Sequence, residues 1–336
     1  MTTPSTRPMA RRDFLGLLGA GAGAFAFAAL PLPLSPLPLR SLQPLADDRR
    51  FVERWSWAMG QPVHLQLFTD DEARGYAAAQ AVFAELRRVE ARLSLFDDAS
   101  DLRELNRRAG RGPMRVDADV AAVLAAGLAA RRATGGAFDL AVEPLMRAWG
   151  FHRPRTTAPS AAEVAEARAA VEHAVVRLES DAGRGGARVE LPSAHTQLDP
   201  GGIGVGYGLD RAAAVLRAHG IRRALLDVSG DCLALGAPPG EPGWAVDLAD
   251  SAHSGRVVRT VRLRDAALAT SANTVAVVRY GRAVRGHVMD PETGYPAGAI
   301  RQATVVARTG ILADALSTAM LVTGRRAPGV LSAYTL

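Results

Sequence analysis

Apolar residues recur at helical spacing in five segments of the chain, and this spacing predicts five helices. The segments cover residues 71–93, 117–132, 160–171, 204–219 and 311–322. Acidic residues begin the first helix, Ser160 and Glu163 have the spacing of a capping box, and Gly220 follows the fourth helix as its C-terminal stop.

Short apolar or alternating runs between turn residues predict strands. They cover residues 62–68, 174–178, 187–191, 196–198, 224–228, 244–248, 257–263, 275–280 and 303–306. Helices dominate the first half of the body and strands the second half. This order predicts the α+β class and not a regular βαβ winding.

The composition excludes several chemistries. All 40 basic residues are arginine, because the chain contains no lysine. A Walker-type phosphate loop, a Schiff-base enzyme and a protein kinase each need a lysine. The single cysteine, Cys232, excludes an intrachain disulfide, a CxxC redox pair and any site with several thiolate ligands.

The charge does not indicate a nucleic-acid partner. Of the formal net charge of +6, residues 1–46 carry +3, from four arginines and one aspartate, which leaves 6 − 3 = +3 for the rest of the chain. Basic and acidic residues alternate along that remainder, whereas binding to phosphate backbones needs a concentrated basic face. We therefore expect no nucleic-acid partner.

The N-terminus predicts an export leader. Arg11 and Arg12 begin the run RRDFLG, and a short glycine-rich apolar stretch follows, as in a twin-arginine signal peptide over residues 1–30. An uncleaved anchor is the alternative. Residues 31–50 are rich in proline and leucine and predict an extended linker. The protein is then expected outside the cytoplasm, in the periplasm or on the outer face of the cytoplasmic membrane.

A glycine-rich segment is the densest feature of the body. Residues 198–210 read LDPGGIGVGYGLD and lie before a predicted helix. Glycines let a backbone approach a ligand closely, and a helix N-terminus attracts phosphate oxygens. The spacing is not that of a dinucleotide-binding GxGxxG motif. An ordinary tight turn is the alternative.

Two further segments carry candidate chemistry. Residues 287–296 read HVMDPETGYP and predict a turn-rich acidic loop, and residues 313–319 read ADALSTA within the last helix. Asp314 and Thr318 are four residues apart, so both side chains project from one helix face. Their oxygens suit a hard cation such as magnesium. Hydroxyls that merely bond to the helix backbone are the alternative.

These segments together resemble the FAD:protein FMN transferases of the ApbE type. Residues 138–145 (FDLAVEPL) with 149–151 (WGF), then 198–210, 287–296 and 313–319, occur in the order typical of that family. The resemblance implies one large α+β domain over residues 51–336, related to the T-fold and built on a mixed sheet with helices. It also implies the transferase activity of the family.

The family transfers the FMN moiety of FAD, with Mg²⁺, onto a threonine or serine hydroxyl of an exported flavoprotein and releases AMP. The resemblance therefore implies FAD and Mg²⁺ as ligands and an exported FMN-binding acceptor protein as partner. It leaves membrane proximity open, through the acceptor or an uncleaved leader. FAD hydrolysis to FMN and AMP and non-catalytic flavin binding are the two alternatives.

The resemblance also implies site residues. Asp314, Thr318 and the carbonyl of Gly202 would hold the metal, with Ser317 assisting, and His287 or Asp290 would be the base. The implied FAD contacts are Met59, Phe96, Ala137, Phe138, Asp139, Asp199, Val205 and Val288. The remaining histidines show no grouping in the sequence and are expected to be surface or core residues; they are His64, His152, His173, His195, His219 and His253.

The chain departs from the family pattern at a few positions. Val205 stands where the family usually has a lysine or another charged residue, Ala141 replaces a hydroxyl residue, and Gln61 replaces a threonine. None of these positions is an implied metal ligand. The loss of a charge at position 205 is expected to affect FAD binding or rate.

Overall fold

The computed structural model describes residues 50–181, 185–253, 256–298 and 300–336 of the chain. The predicted leader and all of the predicted linker except Arg50 lie outside these ranges, so both stay predictions. Within the described residues, no helix is both long enough and apolar enough to cross a membrane.

The described residues form fourteen strands. Their bounds are β1 Arg50–Ala58, β2 Gln61–Thr69, β3 Met114–Val116, β4 Arg177–Ser180, β5 Ala187–Glu190, β6 Arg223–Val228, β7 Asp231–Leu235, β8 Trp244–Ala249, β9 Val257–Leu263, β10 Ala266–Ala272, β11 Val277–Tyr280, β12 Ala283–Gly286, β13 Gln302–Ala307 and β14 Ser332–Thr335. Seven of them form the main sheet in the order β1-β2-β6-β7-β10-β13-β14. A small sheet has the order β3-β5-β4, and β8-β9 and β11-β12 are separate hairpins.

The described residues also form seven α-helices and one short 3₁₀ helix at Leu140–Val142. The bounds of the α-helices are α1 Glu72–Leu93, α2 Asp101–Arg107, α3 Ala118–Ala133, α4 Glu143–Ala148, α5 Ala161–Glu172, α6 Gly204–Ala218 and α7 Gly310–Thr323. The five predicted helices are confirmed within about one residue, and so is the capping box at Ser160. Gly220 has the predicted left-handed conformation, with φ 73°.

The α+β class is confirmed, but the main sheet is antiparallel in every described pairing, so the expected mixed sheet is wrong in that detail. Two-residue hairpins join two of these pairs, β1–β2 and β6–β7. Met59 and Gly60 connect β1 to β2 with φ values of 57° and 68°, the left-handed pair that a type I′ two-residue hairpin requires. Both of their amides donate to the carboxylate of Glu90 on α1 at 2.9 Å.

Helices α1, α6 and α7 pack on one face of the main sheet. Their shared core is aliphatic and almost wholly buried, and it includes Leu65, Leu67, Val82, Leu86, Leu216, Leu226, Val305, Leu316 and Leu321. On the opposite face, Trp244, Leu248 and Leu263 of the β8–β9 hairpin pack against Cys232 and Leu268 of the sheet. Both faces of the central strands are therefore covered.

Two strand predictions need correction. Residues 196–198 form no strand, because the side-chain amide of Asn106 bonds the backbone of Leu198 and replaces a neighbouring strand. Its Nδ2 donates to the Leu198 carbonyl at 2.9 Å, and its Oδ1 accepts from the Leu198 amide at 2.8 Å. The strand predicted at 174–178 begins three residues later, as β4.

Candidate functional site

The glycine-rich segment forms a tight turn that leads into α6. Asp199 begins the turn: its Oδ1 accepts a 2.7 Å hydrogen bond from the amide of Gly201. The amide of Asp199 donates to the carbonyl of Leu140 at 2.7 Å. The second bond attaches the turn to the 3₁₀ helix, which begins within the FDLA run at Leu140.

Gly202 in this turn lies against two side chains that the sequence implies for the site. A Cβ atom at Gly202 would lie 2.8 Å from Oγ1 of Thr318 and 3.3 Å from Cε2 of Phe138. A side chain would therefore displace the threonine hydroxyl, and only glycine leaves it in place. The fold brings Gly202, Thr318 and Phe138 together from three separate motifs.

Asp314 lies one turn before Thr318 on α7 and is only 5% exposed. Its Oδ2 accepts a 2.9 Å hydrogen bond from the amide of Gly206 in the first turn of α6. Burial raises the pKa of Asp314 to about 7, although the Gly206 hydrogen bond acts in the opposite direction. This buried carboxylate is suited to act as a ligand of a cation.

A second carboxylate lies near Asp314. Oδ1 of Asp231, at the start of β7, accepts a 2.9 Å hydrogen bond from the amide of Thr270. Burial raises the pKa of Asp231, and the negative charge of Asp314 raises it further. The sequence motifs imply no role for Asp231. Its position directly after the hairpin turn at Gly230 is the signal that could have indicated one.

Three hydroxyls meet beside these carboxylates. Oγ of Ser271 lies 2.8 Å from Oγ of Ser317 and 3.1 Å from Oγ1 of Thr318. The Ser317 hydroxyl also donates to the backbone carbonyl of Asp314 at 2.9 Å. Ser317 thus bonds to its own helix, which is the alternative considered for it from the sequence, whereas Thr318 faces Gly202. Ser271 was not singled out from the sequence.

The end of β10 connects this group to the His287 loop. Asn273 follows β10, and its Oδ1 accepts a 3.0 Å hydrogen bond from the amide of Val288. Its Nδ2 donates to the carbonyl of Ala297 at 2.6 Å. One side chain therefore fixes both sides of the loop. Ser271, which contacts α7, lies two residues before it.

His287 follows β12 and has one unpaired ring nitrogen. Burial lowers the pKa of His287, a hydrogen bond to the carbonyl of Ala276 partly offsets this, and the charge of His152 lowers the pKa further. Nδ1 is buried and has no hydrogen-bond partner among the described residues. The bond to Ala276 therefore assigns the proton to Nε2 and leaves Nδ1 as a neutral lone pair.

Asp290 is occupied by the turn that it begins. Its Oδ1 accepts from the amide of Glu292 at 2.9 Å, and its Oδ2 accepts from the hydroxyl of Thr293 at 2.9 Å. Trp149 packs against the same loop: it is 4% exposed, and its Nε1 donates to the carbonyl of Gly294 at 2.9 Å. Both residues fix the shape of the loop.

The implied FAD contacts have different surroundings. Met59, Val205 and Val288 pack against the main core. Phe96 is 51% exposed. Asp139 is buried and forms a 2.7 Å ion pair with Arg131.

A buried cluster contains a histidine that the sequence left ungrouped. Nδ1 of His152 lies 2.7 Å from Oε2 of Glu143, and its Nε2 lies 3.7 Å from Oδ2 of Asp199. Burial lowers the pKa of His152, but the hydrogen bond to Glu143 and the charges of Asp199 and Glu143 outweigh it, and the pKa lies above its usual value. No regular spacing relates positions 143, 152 and 199, so no sequence pattern could have grouped them.

The fold and this geometry define an α+β protein with an oxygen-lined site between a glycine turn and a helix. The chain belongs to the ApbE family, whose family model matches residues 59–333.

Known proteins that resemble the chain agree with this membership. The FAD:protein FMN transferase of Treponema pallidum is 31% identical over 263 residues, which is 75% of this chain and 73% of that protein. Its counterpart in Haemophilus influenzae is 26% identical over 79% of each chain. The crystal structure of the ApbE protein of Thermotoga maritima superimposes with a TM-score of 0.73 at 26% identity, covering 82% of this chain and 87% of that one.

Proposed function

We propose that this protein transfers the FMN moiety of FAD onto a threonine or serine hydroxyl of an exported flavoprotein and releases AMP. Its family and the activity named for its relatives support the transferase reaction. The observation that carries the proposal is the approach of Thr318 of α7 to Gly202 of the glycine turn, together with the hydrogen bond from Gly206 to Asp314, one helical turn earlier on α7.

The residues at this point fit a magnesium ion. Asp314 offers a buried carboxylate, Thr318 a hydroxyl and Gly202 a backbone carbonyl, and Mg²⁺ prefers oxygen ligands while retaining waters. A divalent cation would also reduce the repulsion between Asp314 and Asp231. We assign Asp314, Thr318 and the carbonyl of Gly202 as the metal ligands. We assign Ser317 to holding the helix geometry, because its hydroxyl bonds within α7.

When bound, Mg²⁺ would supply Lewis-acid stabilisation of charge on the diphosphate oxygens of FAD. Because the chain has no lysine, we expect backbone amides and arginine side chains to share this task. Asp199, Phe96, Phe138, Asp139, Ala137, Met59, Val205 and Val288 are the proposed FAD contacts.

We assign the base to His287 in preference to Asp290. Nδ1 of His287 has an unpaired lone pair, whereas both carboxylate oxygens of Asp290 accept hydrogen bonds within the loop. In the transfer, Nδ1 accepts the proton of the acceptor hydroxyl while the hydroxyl oxygen bonds to the phosphorus of the FMN moiety. The bond from that phosphorus to the AMP oxygen breaks, and AMP leaves.

One incubation separates this function from its two alternatives. The purified protein is mixed with FAD, Mg²⁺ and an FMN-binding acceptor domain, and the acceptor is analysed by mass spectrometry. We expect acceptor that carries covalent FMN, together with AMP. Free FMN and AMP with unmodified acceptor would indicate FAD hydrolysis instead, and intact FAD would indicate a flavin-binding protein without activity.

Asp314→Ala tests the metal assignment within the same assay. We expect this variant to lose at least about a hundredfold in rate, because a charged ligand of the cation is removed. Asp98→Ala is the control, since Asp98 is an exposed aspartate whose side chain pairs with Arg103 on the surface. Equal activity of the two variants would contradict the metal assignment.

We also propose export by the twin-arginine route to the periplasm or the outer face of the cytoplasmic membrane. The support is the run RRDFLG at residues 11–16 and the apolar stretch that follows it. A reporter fused to residues 1–50 should leave the cytoplasm in a folded state. Changing Arg11 and Arg12 to lysine should retain it inside, and unchanged export would contradict the route.

A further inference from the structure

The cluster of Glu143, His152 and Asp199 brings two buried carboxylates to the beginning of the glycine turn. Glu143 is 4% exposed and Asp199 is 8% exposed. Buried carboxylates are stable as anions only where positive charge or hydrogen bonds compensate them. Arg147 compensates Glu143, with its Nη2 2.7 Å from Oε1. Asp199 has His152 as its nearby cationic partner.

The orientation of the His152 ring is fixed from both sides. Its Nδ1 makes the 2.7 Å hydrogen bond to Glu143, and its Nε2 points to Asp199 at 3.7 Å. The edge of the ring contacts the exposed ring of Phe96, with 5.4 Å between centroids. The two carboxylates face different ring nitrogens, and one ligand atom from each of the three residues lies within 4.8 Å of the others.

The cluster is connected directly to the proposed substrate site. Oδ1 of Asp199 accepts the hydrogen bond from Gly201, the residue before Gly202. The charged and titratable groups that act on His152 are Glu143 and Arg147 of α4 and Asp199 of the turn, and His287 of the loop responds to its charge.

We infer that His152 is a positioning residue for FAD: its imidazolium holds the Asp199 carboxylate at the start of the glycine turn and cancels one of two buried negative charges beside the substrate. This inference rests on the proposed function. With the imidazolium charged, Glu143 and Asp199 are balanced by Arg147 and His152. With the ring neutral, the cluster carries one net negative charge, which repels the diphosphate of FAD.

The sign of the pH dependence follows from the raised pKa of His152. The imidazolium is present below the usual histidine range and is lost as the pH rises through the raised value. FAD should therefore bind more weakly on the alkaline side of this transition. One unit charge about 10 Å away in a medium of dielectric about 20 changes affinity by on the order of tenfold.

The test compares FAD affinity, measured by flavin fluorescence in EDTA, for wild type and His152→Gln between pH 6 and pH 9. EDTA prevents metal-dependent turnover, and glutamine keeps a hydrogen-bonding side chain without the charge. We expect the variant to bind FAD about tenfold more weakly at pH 6 and about equally at pH 9. In the chain with His152 intact, Glu143→Gln should move the midpoint of the change in FAD affinity to lower pH, because the Glu143 carboxylate raises the pKa of His152.

His64→Gln is the matched control. His64 is also a largely buried histidine, with its Nε2 2.7 Å from Glu53, but it lies on β2 and stacks on Trp55. The ratio of the FAD affinity of His64→Gln to that of wild type should stay near one at every pH. A His152→Gln variant that melts earlier but keeps a constant affinity ratio would overturn the positioning role while leaving the proposed function intact.

Two further outcomes would also overturn the inference. If wild type binds no FAD at any pH, the proposed function and the inference both fail. If Zn²⁺ raises the melting temperature of wild type but not that of His152→Gln, the cluster is a metal site, and the ring is not a free imidazolium.

Discussion

Gly206 of α6 and Gly310 of α7 meet backbone to backbone. A Cβ atom on either residue would overlap the carbonyl oxygen of the other. Because the two helices approach this closely, the amide of Gly206 can reach Oδ2 of Asp314. The glycines of the GIGVGYG run thus have a packing role in addition to any contact with a ligand.

Gly206→Ala should therefore destabilise the protein strongly. The added methyl group forces α6 and α7 apart, which is expected to reduce the free energy of unfolding by about 1–3 kcal/mol or more. Gly204→Ala is the control, because a Cβ there first meets Pro200 at 3.8 Å. Urea denaturation of both variants measures the difference. If the two variants unfolded at similar urea concentrations, α6 and α7 could separate without a loss of stability, and the prediction would be wrong.

Asp210 should stabilise α7 from a neighbouring helix. Its two carboxylate oxygens accept hydrogen bonds from the amides of Gly310 at 2.7 Å and Ile311 at 2.9 Å. Asp210→Ala leaves both amides unpaired, and we expect a loss of about 1–2 kcal/mol in stability together with weaker Mg²⁺ binding.

Ser160→Ala removes a cap of similar strength from α5. This variant should lower the melting temperature but leave the effect of Mg²⁺ on that temperature unchanged. Thermal melting with and without Mg²⁺ measures both quantities. If both variants changed the Mg²⁺ response equally, the link between Asp210 and the site would be refuted.

Ser271→Ala should loosen the Thr318 hydroxyl. The serine bonds to the hydroxyls of both Ser317 and Thr318, so its loss allows Thr318 to rotate away from Gly202. Groups that orient a metal ligand typically contribute 10- to 100-fold to affinity, and we expect a loss of about tenfold in Mg²⁺ affinity by titration calorimetry.

Thr304→Val controls for the loss of a buried hydroxyl near Ser271. Thr304 bonds to Thr270 at 2.9 Å on the opposite face of the same sheet. This variant should lose stability without losing Mg²⁺ affinity. An unchanged affinity in Ser271→Ala would contradict the orienting role.

His287 should make the protein sensitive to mild acid. Burial lowers its pKa, so below the usual histidine value of about 6.5 the unfolded chain binds a proton that the folded chain resists. Stability is then lost as the pH falls from about 6.5 through the lowered value. His287→Gln should show a smaller loss between pH 7 and pH 5 in urea denaturation.

His173→Gln is the comparison, because this histidine lies exposed at the end of α5. It should keep the acid sensitivity of wild type. If His287→Gln kept that sensitivity too, burial of the ring would not be its source.

The helices could be predicted because their signals are local. Asp71, Asp117 and Ser160 each cap the helix that follows through their own side chains. Strands depend on neighbours that are distant in sequence. β10 reads AALATSA, an alanine-rich run with weak strand preference, and its place between β7 and β13 makes it a strand.

The same distinction holds for the site. Asp314 and Thr318 could be paired from their spacing on one helix, and their relation to Gly202 could be expected only from the resemblance. Ser271 and His152 could not be predicted, because their partners come from other elements. A side chain that acts through tertiary contacts leaves no periodic pattern in the sequence.

Strand β10 also constrains how this enzyme could diversify. Ser271, near the end of β10, contacts Thr318 of the proposed cation site, and Asn273, directly after the strand, contacts the loop of the proposed base. In extended backbone these two positions lie about 7 Å apart. Because neighbours on both sides hold this strand, neither half of the site can shift without the other. If the proposed function holds, new acceptor preferences would arise at the tip of the loop, around Glu292 and Tyr295, where side chains can change while the distance between the proposed metal site and the proposed base stays constant.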